Sequence, residues 1–174
     1  YILTESLMPL LLQTGSAEER ARVVTVSSGG MLTNKLDPFD LMAENLSPFE
    51  GTMAYAQNKR QQVVMTEEWA KKYADVQFTS MHPGWADTPA VRTSMPGFYE
   101  KMKDKLRTVE QGADTVVWLA VSNNTVGTDP KSSGEFFQDR QIVWKHLPLA
   151  WSKSEQADVD LLMDKLNGLH NQFK

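Results

Sequence analysis

Arg22-Val23-Val24-Thr25-Val26-Ser27-Ser28-Gly29-Gly30 decides the fold. Its first part is short, β-branched and mostly apolar, which predicts a strand buried on both faces of a parallel sheet. Ser28-Gly29-Gly30 then ends it. Downstream, Thr52 to about Tyr73 holds neither Gly nor Pro and is rich in helix formers, so the longest helix is expected there. Met53, Ala56, Val63, Val64 and Ala70 lie on its apolar side. Val76-Gln-Phe-Thr-Ser-Met81 reads as the next strand, stopped by His82-Pro83-Gly84. Strand, helix, strand implies a right-handed crossover in a parallel sheet with helices on both faces. Ligands of such sheets bind outside the carboxyl ends of the strands, where the Ser28 and His82 loops both open.

Working outward, residues 2–12 predict a helix with Ile2, Leu3, Leu7, Leu10 and Leu11 at helical spacing, a kink at Pro9, and an end at Gly15-Ser16. Residues 31–51, with Pro38, Pro48 and Gly51, predict a long loop with one helical turn near Phe39 to Glu44. Pro89, Pro96 and Gly97 among Met and aromatic residues predict short helices in an irregular lid over 85–107. Thr108 with Gln111 predicts a capping box opening a helix through Trp118 and Ala120. Asn123 to Ser133 is turn-rich, Gly134 to Gln138 is a third strand, and 155–173 is an amphipathic helix with Val159, Leu162, Leu166, Leu169 and Phe173 on one stripe. The expected fold class is α/β: a Rossmann-like, doubly wound parallel sheet of about three strands with flanking helices, in one domain over 1–174. Tyr1 opens inside a helical pattern with no initiator Met and no cap, so the chain is expected to be the carboxyl-terminal part of a longer one.

The 174 residues are 41% apolar, enough for a core, and carry a net charge of -4 from 22 acidic and 18 basic residues. The basic residues form no block that would track a phosphate backbone, so nucleic acid is not an expected partner. No apolar run reaches the roughly 18 residues that span a bilayer. With no cysteine, disulfides and thiolate metal sites are excluded, and the composition leans towards a reducing, cytoplasmic setting.

Tyr55 and Lys59 are four apart on the predicted helix, so they share a face, and a cation beside a phenol favours its ionised form. That pair can act as a general acid and base. Alone, the spacing is better explained by chance on a helix surface. Ser28, at a strand end on the ligand-binding edge, can hydrogen-bond the same substrate oxygen; Ser27 is the alternative, because neighbouring strand residues face opposite sides. After the second strand, Pro83-Gly84 turns the chain so that backbone amides face a ligand, and Thr88 offers a hydroxyl. Its plain alternative is a turn. His82, His146 and His170 lack metal-ligand spacing, and Ser28, Asp37 and His82 lack the Gly-x-Ser-x-Gly elbow of a hydrolase. Met95, Phe98, Tyr99 and Met102 either line an apolar pocket or pack the lid. Glu67, Glu68, Lys71 and Lys72 read as a solvated face with i,i+4 pairs.

Taken in order, Ser28, Tyr55-x-x-x-Lys59 and Pro83-Gly84-x-x-x-Thr88 resemble the catalytic half of the short-chain dehydrogenase/reductase superfamily. The wording Val-Ser-Ser-Gly-Gly-Met, Tyr-Ala-Gln-Asn-Lys-Arg-Gln-Gln-Val-Val and Met-His-Pro-Gly-Trp-Ala-Asp-Thr-Pro is similar to its dehydrogenase/reductase family member twelve group. The resemblance implies hydride transfer between NAD or NADP and a small carbonyl or alcohol. Tyr55 would move the proton, Ser28 would orient the substrate oxygen, and Lys59 would favour ionised Tyr55 while holding the nicotinamide ribose. Thr88 and the backbone of Pro83, Gly84 and Trp85 would bind the nicotinamide carboxamide and phosphates. The Met-rich lid suggests an apolar substrate, and family members commonly pair into homo-oligomers through long helices. The family's glycine-rich phosphate-binding turn is not in these residues, nor its NAD-or-NADP selector, nor its catalytic Asn. Little activity is therefore expected of the chain by itself. The competing class is a non-catalytic Rossmann-like binding protein, against which the intact Ser, Tyr and Lys set argues.

Overall fold

The computed structural model describes residues 1–16, 19–123 and 129–173. Ala21–Val26 (β1), Val76–Met81 (β2), Phe136–Gln138 (β3) and Gln141–Ile142 (β4) form one sheet in the order β1-β2-β3-β4. β1 and β2 are parallel in full register, Ala21 opposite Val76 through Val26 opposite Met81. β3 joins parallel through Ser80 and Met81. β4 folds back antiparallel on β3, a hairpin that the expectation of about three strands left out. Its turn residues Asp139 and Arg140 take positive φ of 53° and 61°, which permits so tight a return.

The helices are Ile2–Thr14 (α1), Gly51–Lys72 (α2), Pro89–Ser94 (α3), Pro96–Met102 (α4), Val109–Val121 (α5) and Gln156–Asn171 (α6). Alternation along the strands sends successive side chains to opposite faces. Val76 and Phe78 thus meet Met8 of α1 and Trp69 of α2 on one face. On the other face Met81 and Phe137 meet Leu119 of α5, with Val24 and Trp118 against them. α6 lies outside α2, where Val159 and Leu162 close over Leu36 and Val64. Helices therefore flank both faces and bury β2 throughout, but β1, at the edge of the sheet, is only half-buried and its Val26 is exposed, against the expectation that it would be buried on both faces. Among the described residues no helix is long and apolar enough to cross a membrane.

Several local expectations are corrected. The helical turn sits at Gly29–Thr33 as a 3-10 turn and not at Phe39 to Glu44, where the Asp40 carboxylate accepts the amides of Glu44 and Asn45 and holds a loop. That carboxylate supplies acceptors a helical turn would otherwise provide. α1 buries Met8, while Leu3 and Leu10 of its apparent apolar stripe stay 72% and 56% exposed. Met53 of α2 is exposed; besides the expected Ala56, Val63 and Val64, the helix buries Arg60, Gln61, Thr66 and Trp69. Likewise Leu169 and Phe173 of the α6 stripe are exposed, because α2 offers a partner only to its earlier turns. Lys71 does bond Glu68, but Lys72 reaches Glu5 of α1 and Glu67 reaches Lys145, so that face is tied to other elements. Residues 124–128 of the turn-rich stretch lie outside the described residues.

Candidate active site

Both serines follow β1, and their surroundings separate them. Both are buried; the Ser27 amide donates to the Met81 carbonyl at 2.8 Å and the Ser27 hydroxyl to the Lys59 carbonyl at 2.9 Å. Ser28 caps the 3-10 turn, its Oγ accepting the Gly30 amide at 3.2 Å. An acceptor role leaves the Ser28 hydroxyl proton to donate elsewhere, whereas that of Ser27 is spent on the helix.

α2 begins at Gly51 because the Glu50 side chain accepts the amides of Thr52 and Met53 and so caps its first turn. One turn in, Tyr55 is 51% exposed, and the Lys59 ammonium stands 5.5 Å from its ring centroid. The same ammonium donates to the Val26 carbonyl at 3.1 Å and to Gln62 Oε1 at 3.2 Å. An ammonium has a third proton, so one donor remains. Burial pushes the Lys59 pKa below its ordinary 10.5, since the charged form loses hydration. Tyr55, Lys59 and the end of β1 are thus held at one edge.

The loop after β2 meets the loop after β1 directly. A Cβ on Gly29 would lie 2.9 Å from His82 Nε2, so the imidazole packs on bare backbone there. Gly84 has φ +76°, and a Cβ on it would fall 2.6 Å from Arg107 Nε. Only glycine meets both demands. Arg107 donates to the Pro83 carbonyl at 3.4 Å, its amide to the Trp85 carbonyl at 2.8 Å, and its guanidinium grips Asp139. Thr88 caps α3 by accepting the Val91 amide at 3.3 Å, which again leaves its hydroxyl proton free to donate. Trp85 turns its ring onto Phe98 of α4 at 4.5 Å, and the Arg92 guanidinium lies over the Tyr99 ring, so these residues pack the 85–107 segment onto itself. A concavity of about 520 Å³ lies along Arg107, Glu110, Gln111, Asp114 and Asp139. Ser28, Tyr55 and Lys59 do not line it, and its charged, open walls suit solvent better than the apolar body of a buried ligand.

One residue of weight was missed in the sequence. Arg60 is 1% exposed and donates to the carbonyls of Asn34 at 2.9 Å, Lys145 at 2.9 Å and Met31 at 2.7 Å. Its signal was available: it stands four after Ala56 and three before Val63, on a helix face that is otherwise apolar.

The mostly parallel sheet carries helices on both faces, Ser28 follows β1 directly, and Lys59, with the Tyr55 ring beside it, bonds the last residue of β1. This chain belongs to the short-chain dehydrogenase/reductase family. It is 52% identical over all of its 174 residues to human dehydrogenase/reductase SDR family member 12, and 49% identical over the same span to the bovine protein of that name. It is also 28% identical, over 96% of its length, to the oxidoreductase calI of Penicillium decumbens. The chain spans about half the length of these relatives, 52%, 52% and 53% respectively. No family model matches it.

Proposed function

We propose that the protein containing this chain is an NAD- or NADP-dependent oxidoreductase that interconverts a carbonyl and an alcohol. The observation that carries the reading is the Lys59 ammonium 5.5 Å from the Tyr55 ring, with the uncommitted Ser28 hydroxyl beyond the neighbouring strand end. The relatives' names and the family's general use of nicotinamide dinucleotides support it.

The residues present fit the nicotinamide end of such a cofactor. Lys59 has a donor in excess and Thr88 has an uncommitted hydroxyl proton. Lys59 would hold the ribose; Thr88 and the backbone of Pro83, Gly84 and Trp85 would hold the carboxamide and phosphates. When bound, the cofactor supplies or accepts the hydride. In the direction of reduction, Tyr55 gives its phenolic proton to the carbonyl oxygen as negative charge develops there. The Ser28 hydroxyl donates to that same oxygen and fixes its position. The Lys59 ammonium stabilises the phenolate that remains, and in oxidation the phenolate removes the alcohol proton. The substrate is proposed to be small and apolar, admitted beneath α3 and α4. Because the 174 residues contain no glycine-rich phosphate-binding turn, little turnover is expected of them alone.

In the full-length protein, Tyr55→Phe is expected to lower kcat by about 10³-fold or more while cofactor affinity, read by NADH and NADPH fluorescence, changes less than about threefold. Undiminished turnover would remove Tyr55 from this role. Absence of any cofactor fluorescence change in the unaltered protein would favour the non-catalytic binding reading instead.

A further inference from the structure

We propose that Arg60 is a positioning residue for the Ser28, Tyr55 and Lys59 site: a buried cation that clamps the Ser28-capped turn and the 143–152 segment together against α2. The proposal rests on the oxidoreductase reading above and adds to it a residue outside the reacting set.

A guanidinium out of water is costly unless its donors are matched. Arg60 hydrogen-bonds no carboxylate among the described residues; it spends Nε, Nη1 and Nη2 on the carbonyls of Asn34, Lys145 and Met31. Burial lowers its pKa to about 10, which still leaves it charged at neutral pH. The planar fork of Arg spreads its donors over three nitrogens and so reaches three carbonyls set apart from one another; a lysine in its place brings one nitrogen, which cannot stand within bonding distance of all three positions that Nε, Nη1 and Nη2 serve.

What those carbonyls belong to gives the residue its role. Met31 and Asn34 lie in and just after the turn that Ser28 caps. Lys59, the preceding residue, accepts the Ser27 hydroxyl on its carbonyl and donates from Nζ to Val26. Lys59 and Arg60 together therefore bond the chain on both sides of Ser28, from the helix that carries Tyr55. Ser28 cannot shift relative to Tyr55 without breaking those bonds. Lys145 belongs to the connection between β4 and α6, which a second bond ties to the same turn: the buried Ser152 hydroxyl donates to the Leu32 carbonyl at 2.9 Å. The turn and the connection thus share Arg60 as an anchor beside the Ser152 to Leu32 bond and the Lys145 ion pairs with Glu67 and Glu135, and its loss loosens both.

The test compares Arg60→Met, which keeps the length of the side chain, and Arg60→Lys with the unaltered full-length protein. Backbone amide exchange at 28–35 and 143–152 is expected to accelerate about tenfold or more in Arg60→Met, in both segments together, with the interiors of β1 and β2 little changed. On the same samples kcat per cofactor-binding site is expected to fall about tenfold or more with cofactor Kd within about threefold, and Arg60→Lys to recover part of both losses. A loss that merely followed unfolding would lower the number of cofactor-binding sites and not the turnover of each. Should Arg60→Met fail to fold, Arg60→Lys carries the same readouts with smaller changes. Exchange unchanged, raised in one segment only, or raised evenly through β1 and β2 overturns the proposal, as does kcat unaltered per site. Absence of turnover in the unaltered protein overturns the oxidoreductase reading instead, and the exchange pattern then still reports whether Arg60 joins the two segments.

Discussion

The difference between Ser27 and Ser28 is a difference in where one proton goes. Ser27 donates from a buried side chain to a carbonyl 32 residues away. Ser27→Ala is therefore expected to cost about 1 kcal/mol of stability, and more if the Lys59 carbonyl finds no water. Ser28→Ala deletes only an acceptor for the Gly30 amide and is expected to leave stability within about 1 kcal/mol, while kcat in the full-length protein falls by about 10²-fold. Urea denaturation with turnover on the same two variants reads the contrast; equal loss of turnover at both positions would show that the hydroxyl's direction does not matter. The Tyr55 and Lys59 spacing was legible because one helical turn is local. Which serine keeps its proton was not, because the competing acceptor lies on another element. Arg60 escaped for the same reason: its acceptors are 26, 29 and 85 residues distant in the chain.

Among the elements, the α5 capping box shows what short-range sequence can settle. Thr108 accepts the Gln111 amide and Gln111 accepts the Thr108 amide, as the four residues alone required. α1 shows the reverse. Its apolar residues suggest a buried stripe, yet of them only Met8 is fully buried, and Glu5 adds a polar tie: its carboxylate accepts Trp69 Nε1 at 2.8 Å and the Tyr73 hydroxyl at 2.8 Å, with Lys72 at 3.5 Å. Burial works to raise the Glu5 pKa, but the hydrogen bonds from Tyr73 and Trp69 and the Lys72 charge outweigh it, and the pKa lies below the ordinary 4.5. A carboxyl with a depressed folded pKa contributes stability that is present above its unfolded value and lost as pH falls through the folded one. The stability gap between the unaltered protein and Glu5→Gln is accordingly expected to be full above about pH 5 and to close below the ordinary 4.5. Chemical denaturation of both proteins across that range measures it; a gap that persists to the lowest pH would mean that Glu5 acts by shape and not by charge.

At the scale of the molecule, α6 reaches back to the loop before α2 and closes a second core. Leu162, fully buried against Leu36 and Val64, is its centre, and Leu162→Ala is expected to cost about 2–5 kcal/mol by leaving a cavity. Thermal denaturation of that variant, with Leu169→Ala as the exposed control, tests whether α6 is integral to the domain; equal melting temperatures would show that it is not. The sequence by itself determined the order of strands and helices, the parallel crossover and the edge on which the loops open, because those follow from local periodicity and from the handedness of the chain. Tertiary structure alone decided how deeply each face is buried, where the hairpin of β4 returns, and which distant carbonyls Arg60 would bond. Burial and hydrogen-bond pairing are set by what arrives from distant parts of the chain, and a run of neighbouring residues carries no record of that.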